Sequence, residues 1–248
     1  MYYLFNPKKK IPDPVFLNNT LYAFDYDGTL AKINPSIDKA FMSPKTSQLF
    51  ARLVKHFPVA VISGRSVAEL KQLLPVKPCY LIGHHGLETG HQADETADQY
   101  RSIVLDWFHE LNLQLKEIKN ITIEKKDFTL AIHYRNSGIK EKERRLINKV
   151  IHELKPEPNI IKGKKIFNML PTKNVNKGTA LLSLKKEQGY KHIFFIGDDI
   201  TDESVFALSD SQVISIRVGK KNSSKAQYYL KNQSEINKYL SMIINSLH

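Results

Sequence analysis

Residues 21–31 read LYAFDYDGTLA. A largely apolar run leads into Asp25, and a second aspartate follows at Asp27 before a Gly-Thr turn. In an extended chain, side chains two apart share a face. The two carboxylates therefore repel unless a cation or a substrate neutralises them. Either Asp27 only forms the turn, or the two acids act together. The lead-in predicts a buried strand that ends by presenting them.

Similar apolar runs at residues 58–62, 80–83, 192–197 and 213–218 predict further buried strands. Helical patterns separate them. Ser43-Pro44 predicts a helix start, with Ser43 as N-cap and Pro44 at the first helical position, and Leu49, Leu53 and Val54 form its apolar stripe. Ser66 and Glu69 have capping-box spacing at the head of a helix over 66–74, and another helix is predicted over 176–187. This alternation predicts an α/β fold, a doubly wound parallel sheet with helices on both faces.

Between residues 89 and 168 the rhythm changes. A long helix is predicted over 98–118, then a hairpin of 121–124 with 129–134, a charged helix over 141–154, and strands near Ile160 and over 165–170. The reading is an α+β cap inserted into a core formed by 1–88 and 169–248. A last amphipathic helix is predicted over 234–247.

Composition narrows the classes. The 248 residues carry 42% hydrophobic and 25% charged side chains, as soluble globular proteins do, and no run approaches a membrane span. The net charge of +12 is spread along the chain without a long basic run or aromatic-basic alternation, so no nucleic-acid partner is expected. The first residues, MYYLFNPKKKIPDP, place apolar residues before lysines, the reverse of a secretory leader. The single cysteine, Cys79, rules out an intrachain disulfide and is expected to be a buried thiol. These points predict a cytoplasmic protein.

In open parallel sheets, ligands bind beyond the carboxyl ends of the strands. Polar residues gather at such ends: Asp25-Tyr26-Asp27-Gly28-Thr29, Ser63-Gly64-Arg65, and Gly197-Asp198-Asp199 with Asp202. Lys177 opens a helix after the insert. Carboxylates around a magnesium ion, beside a lysine and a hydroxyl, suit phosphoryl transfer.

The ordered motifs D-x-D-G-T, S-G-R, N-K-G and G-D-D-x-T-D resemble the haloacid dehalogenase superfamily of phosphatases. More narrowly, FDYDGTLA, VISGRS, GHHGLE, AIHYRN, VNKGTAL and IGDDITDESVF are similar to trehalose-6-phosphate phosphatases, as is the YYLxxxSE segment at residues 228–235. The resemblance implies a magnesium-dependent hydrolase that releases phosphate from trehalose 6-phosphate through an aspartyl-phosphate. Asp25 is then the nucleophile, and Asp27 the general acid and later the general base. Asp25, Asp198 and the backbone carbonyl of Asp27 are then the metal ligands, while Ser63 and Lys177 hold the phosphoryl oxygens. Asp199 and Asp202 bind the metal through water or orient Lys177, and Asp202 is alternatively a helix N-cap. Arg65 is expected to pair with an acid, and Glu88 to close the HHGLE turn. His84 and His85 lack a third nitrogen or sulfur partner and are read as packing or surface residues.

In the cap, the resemblance carries sugar contacts to Glu124, Lys126, Arg135 and Lys164. The family's glutamate four residues after that lysine is replaced by Asn168, a departure that bears on substrate preference rather than on the reaction. Two alternatives stay open: a phosphatase of another sugar phosphate, such as sucrose or mannosylglycerate phosphate, and a non-catalytic sugar-phosphate-binding partner of a trehalose-phosphate synthase.

Overall fold

The computed structural model describes residues 1–8, 19–34, 39–89, 94–119, 121–134, 141–163 and 165–245. It divides into two compact units, Met1–Gly90 with Val175–His248, and His91–Asn174.

The first unit is built on an eight-stranded sheet. In chain order its strands are β1 (Tyr2–Tyr3), β2 (Thr20–Phe24), β3 (Val59–Ile62), β4 (Tyr80–Gly83) and β5 (Glu88–Thr89), then β10 (His192–Gly197), β11 (Val213–Val218) and β12 (Tyr228–Leu230). They lie in the order β1-β12-β11-β10-β2-β3-β4-β5. All neighbours run parallel except β5, which is antiparallel to β4. The expected strands are therefore present. The two- and three-residue strands β1, β5 and β12 are additions, too short to show any periodicity in the sequence.

Both faces of the sheet are covered. On one face, alternate residues such as Tyr22, Phe24, Val59, Val61, Phe194, Ile196 and Ile216 pack against three helices. These are α1 (Pro44–His56), α2 (Val67–Leu73) and α7 (Ile236–Asn245). On the other face, Leu21, Ala23, Ile62, Ile193 and Phe195 meet α5 (Lys177–Gln188) and α6 (Glu203–Phe206). The helix starts follow their capping chemistry. Ser43 accepts from Thr46 N ahead of Pro44, and Ser66 and Glu69 form a full capping box. Asn176 and Thr179 form a second box at the head of α5.

The second unit has its own core. Its sheet runs in the order β6 (Thr122–Lys125), β7 (Leu130–His133), β9 (Ile166–Leu170), β8 (Asn159–Gly163), antiparallel throughout. One face, with Leu130, Ile132, Phe167 and Met169, packs on α3 (Asp94–Gln114) and α4 (Glu141–Glu153) through Trp107, Leu111, Ile147 and Ile151. The expected boundary at 168/169 falls inside β9. That strand pairs with both β7 and β8, and Lys173 reaches Glu157 at 3.5 Å. The unit accordingly runs on to Asn174.

Cys79 differs from expectation: it is exposed. It precedes β4 instead of lying within it, so its side chain is outside the alternation that buries Ile82.

Candidate active site

Strand order places the site. From β2 the chain moves to β3 on one side, while β10 returns on the other, so β2 and β10 flank the point where connectivity reverses. Asp25 follows β2, and its N–H donates to Ile196 O at 2.8 Å. Alternation turns Tyr22, Phe24 and Tyr26 into one core layer. Asp25 therefore points to the opposite side, where α5 begins with Lys177.

Lys177 Nζ donates to Asp25 Oδ1 and Asp202 Oδ1, both at 2.7 Å. All three residues are buried, with 5% of Asp25, 2% of Lys177 and none of Asp202 exposed. Burial opposes the lysine's charge, but Asp202 and Asp25 outweigh it and raise its pKa far above the ordinary value. Asp202 stands at the N-cap position of α6 without capping it. Its second oxygen instead accepts from Asp198 N at 2.8 Å and Asp199 N at 2.9 Å. Of the roles open from the sequence, that of N-cap is not taken, and the hydrogen bond to Lys177 fits that of orienting it.

Asp25, Asp198 and Asp202 bring one oxygen each to within 4.8 Å of one another. Asp202 has both oxygens engaged, whereas Asp198 Oδ1 is buried with no hydrogen-bond partner. Burial, with the Asp202 and Asp199 charges, pushes Asp198 up to about 7. Burial likewise raises Asp25 well above its ordinary range, although Lys177 opposes this. Carboxylates that resist ionising until a positive charge arrives, one with an orphaned oxygen, fit a hard divalent cation bound through oxygen. Gly28 makes room for this arrangement: its φ is +85°, and a Cβ there would meet Asp198 Oδ2 at 2.1 Å.

The side chain of Asp27 is elsewhere. Arg65 Nε donates to its Oδ2 at 2.6 Å and Arg65 Nη2 to its Oδ1 at 2.7 Å, a two-pronged pair. The guanidinium also lies 5.7 Å from the centre of the Tyr26 ring. Arg65 thus pairs with an acid as expected, and that acid is Asp27. Ser63 is buried at the end of β3, where its Oγ accepts from Arg65 N at 3.2 Å. Glu88 Oε2 accepts from Val67 N at 2.7 Å, tying the HHGLE segment to the start of α2. His84 is buried with Nε2 3.6 Å from Glu88, and His85 packs over Gly64.

The expected sugar contacts fall on the second unit. Glu124, Ala131, Asn168 and Ile161 are paired in one row across its sheet. That row lies on the face opposite the helices. Strand β6 stops at Lys125, one residue short of Lys126, yet Lys126 Nζ still lies 3.6 Å from Glu124 Oε1. Arg135 and Lys164 lie outside the described residues. His133 was not singled out from sequence. Its Nε2 is 2.7 Å from Glu124 Oε2, and only strand register could have revealed the pairing. Arg217 was also missed. It is buried in β11, and its guanidinium reaches the Asp198–Asp199 loop.

Residues 23–234 match the trehalose-phosphatase family. The chain belongs to that family. It is an enzyme, a hydrolase of phosphoric monoesters. Among trehalose-phosphatase relatives, a probable trehalose-phosphate phosphatase of rice is 30% identical over 250 residues, spanning 89% of this chain and 68% of that protein. Trehalose-phosphate phosphatase B of Arabidopsis thaliana is 27% identical over 89% of this chain and 65% of its own. The chain thus spans about two thirds of the length of these plant relatives. Trehalose-6-phosphate phosphatase of Aspergillus fumigatus superposes with a TM-score of 0.63 at 25% identity, covering 92% of this chain and 93% of that one. A trehalose-6-phosphate phosphatase related protein shares the fold at TM-score 0.75 and 23% identity, over 91% and 97% of the two chains. Among the described residues, no helix is long and apolar enough to cross a membrane.

Proposed function

We propose that this trehalose-phosphatase family member hydrolyses trehalose 6-phosphate to trehalose and inorganic phosphate. The observation that carries the reading is the buried Asp25 held by Lys177 beside the unpartnered carboxylate of Asp198. It is a nucleophile paired with a fixed cation, beside a carboxylate oxygen that no protein donor satisfies, on a chain of this family.

Asp25 and Asp198, with the backbone carbonyl of Asp27, would hold a magnesium ion. Bound there, the ion would lower the repulsion between an anionic nucleophile and an anionic phosphoryl group. A carboxylate oxygen of Asp25 forms a bond to phosphorus as the bond from phosphorus to the sugar oxygen breaks. The departing oxygen takes a proton from Asp27. Water then attacks the aspartyl-phosphate, gives a proton to Asp27 and releases phosphate with Asp25 restored. Lys177 by its charge and Ser63 by a hydrogen bond hold the phosphoryl oxygens. Both oxygens of Asp27 accept from Arg65, so the carboxyl must leave Arg65 before it can serve as acid.

The second unit is read as the sugar-selecting, cap unit. Glu124 and Asn168 share the helix-free face of its sheet, and Lys126 contacts Glu124. Arg135 and Lys164 carry the same expected role from sequence. Asn168 offers both a donor and an acceptor to hydroxyl groups where a carboxylate would only accept.

Phosphate release with Mg2+ tests the assignment on trehalose 6-phosphate, sucrose 6-phosphate and mannosylglycerate phosphate. Trehalose 6-phosphate is expected to give the highest kcat/KM. The reading fails if it ranks among the poor substrates, or if no sugar phosphate is turned over.

A further inference from the structure

The loop that presents Asp198 is gripped from both sides. On its N–H side, Asp202 Oδ2 accepts from the amides of Asp198 and Asp199. On its C=O side stands Arg217. Arg217 Nη2 donates to Asp198 O, and Nη1 donates to Asp199 O at 3.2 Å. Nη1 also lies 3.2 Å from Glu203 Oε1 in the first turn of α6. Glu203 in turn uses its other oxygen to accept from Lys225 N at 2.9 Å.

The sequence makes this reach possible. In the ladder, Arg217 is paired with Gly197, the last residue of β10. Gly197 has no side chain to obstruct its neighbours, and a Cβ there would meet the Asp202 carboxylate at 2.3 Å. With both peptide groups fixed at each edge, the Asp198 carboxylate is left as the group without a partner.

We propose that Arg217 is a positioning residue for the metal-binding loop, setting the affinity of the site for a divalent cation without touching the cation or the substrate. This rests on the reading of Asp198 as a metal ligand. The guanidinium bonds two carbonyls and one carboxylate while only 7% of the residue is exposed. Its Nε is buried without an acceptor. An unpaired buried donor opposes burial of the side chain, so other contacts must offset it for an arginine to sit here. The loop carbonyls do. Groups that orient a metal ligand change metal affinity by about 10- to 100-fold when removed.

The test is Mn2+ binding to the metal-free full chain, followed by electron paramagnetic resonance of the free ion, alongside Mg2+ dependence of phosphate release. Arg217→Met is expected to weaken Mn2+ binding about 10- to 100-fold. Arg217→Lys, which keeps the charge but not the fork, is expected to fall between it and wild type, with excess Mg2+ restoring kcat. Ser215→Ala removes a hydrogen bond to Gln227 N from the same strand and is expected to leave the affinity unchanged.

Should Arg217→Met fail to fold, Arg217→Lys decides. Wild-type affinity in the folded arginine variants overturns the proposal, as does an equal loss in Ser215→Ala. If wild type itself binds no Mn2+, the metal reading fails, and the role of Arg217 falls with it.

Discussion

Two acids on which function is proposed to depend, Asp25 and Glu124, stand in opposite surroundings. Asp25 is buried, and burial drives its pKa up even with Lys177 2.7 Å away. Glu124 is partly exposed, and its hydrogen bond to His133, with help from Lys126, draws its pKa down. The core acid sits where a second cation is wanted. The sheet acid already has basic partners on its own surface and is ready to accept from hydroxyls. One surrounding suits making and breaking bonds to phosphorus, the other suits weighing one sugar against another.

The largest effect is expected at the core. Asp25→Asn should lower kcat by at least about 10^4-fold, as loss of an attacking group does in other covalent mechanisms. Single-turnover phosphate release would measure it, and residual activity near wild type would remove the contrast altogether. Lys177→Met should follow, with kcat down about 10^2- to 10^3-fold. It also leaves Asp25 and Asp202 facing each other unpaired. Breaking a buried ion pair in this way costs about 3–5 kcal/mol, readable by urea unfolding.

A pH series sharpens the same point. In the folded, metal-free chain the Asp198 carboxyl is pushed up to about 7 from an ordinary 3.8. The folded state therefore holds that proton more tightly than the unfolded chain. Its contribution to stability is complete at low pH and disappears as pH rises from about 4 to about 7. Asp25 acts in the same sense. Thermal melts in EDTA should fall across this window, while the increase in Tm given by Mg2+ grows. A Mg2+ effect that ignores pH would mean that these carboxylates do not receive the ion.

The smallest effect belongs to the second unit. Glu124→Gln and Asn168→Ala should each raise KM for trehalose 6-phosphate about tenfold, or about 1.4 kcal/mol. Rates on p-nitrophenyl phosphate should stay unchanged. Equal losses on both substrates would place these residues in the chemistry and not in selection.

The core strands were legible because parallel strands buried on both faces read as unbroken apolar runs, as HIFFIG does at residues 192–197. Helix starts were legible because capping is a local bargain between residues three apart, as in Ser66 and Glu69. Edge strands such as Tyr2–Tyr3 were not, since the neighbouring ladder alone defines them. The same limit applied at the site. Asp25, Asp198 and Lys177 were recognisable by type and order. The partners Arg65–Asp27, Glu124–His133 and Arg217–Asp198 depend on register between separate strands, loops or turns. The strand at 80–83 was legible, but whether the residue just before it would be covered was not, and Cys79 is exposed.

Central placement of β2 has a consequence for how the enzyme comes into being. Its neighbours are β3 and β10, and β10 is made more than 150 residues after it. Until then β2 can have only one flank paired, and such long-range pairing slows folding. Asp25 likewise waits for Lys177 across 152 residues of chain. The nascent polypeptide therefore carries Asp25, the proposed nucleophile, past the whole second unit without its lysine, and the pair forms only once the segment that holds Lys177 has been synthesised and docked.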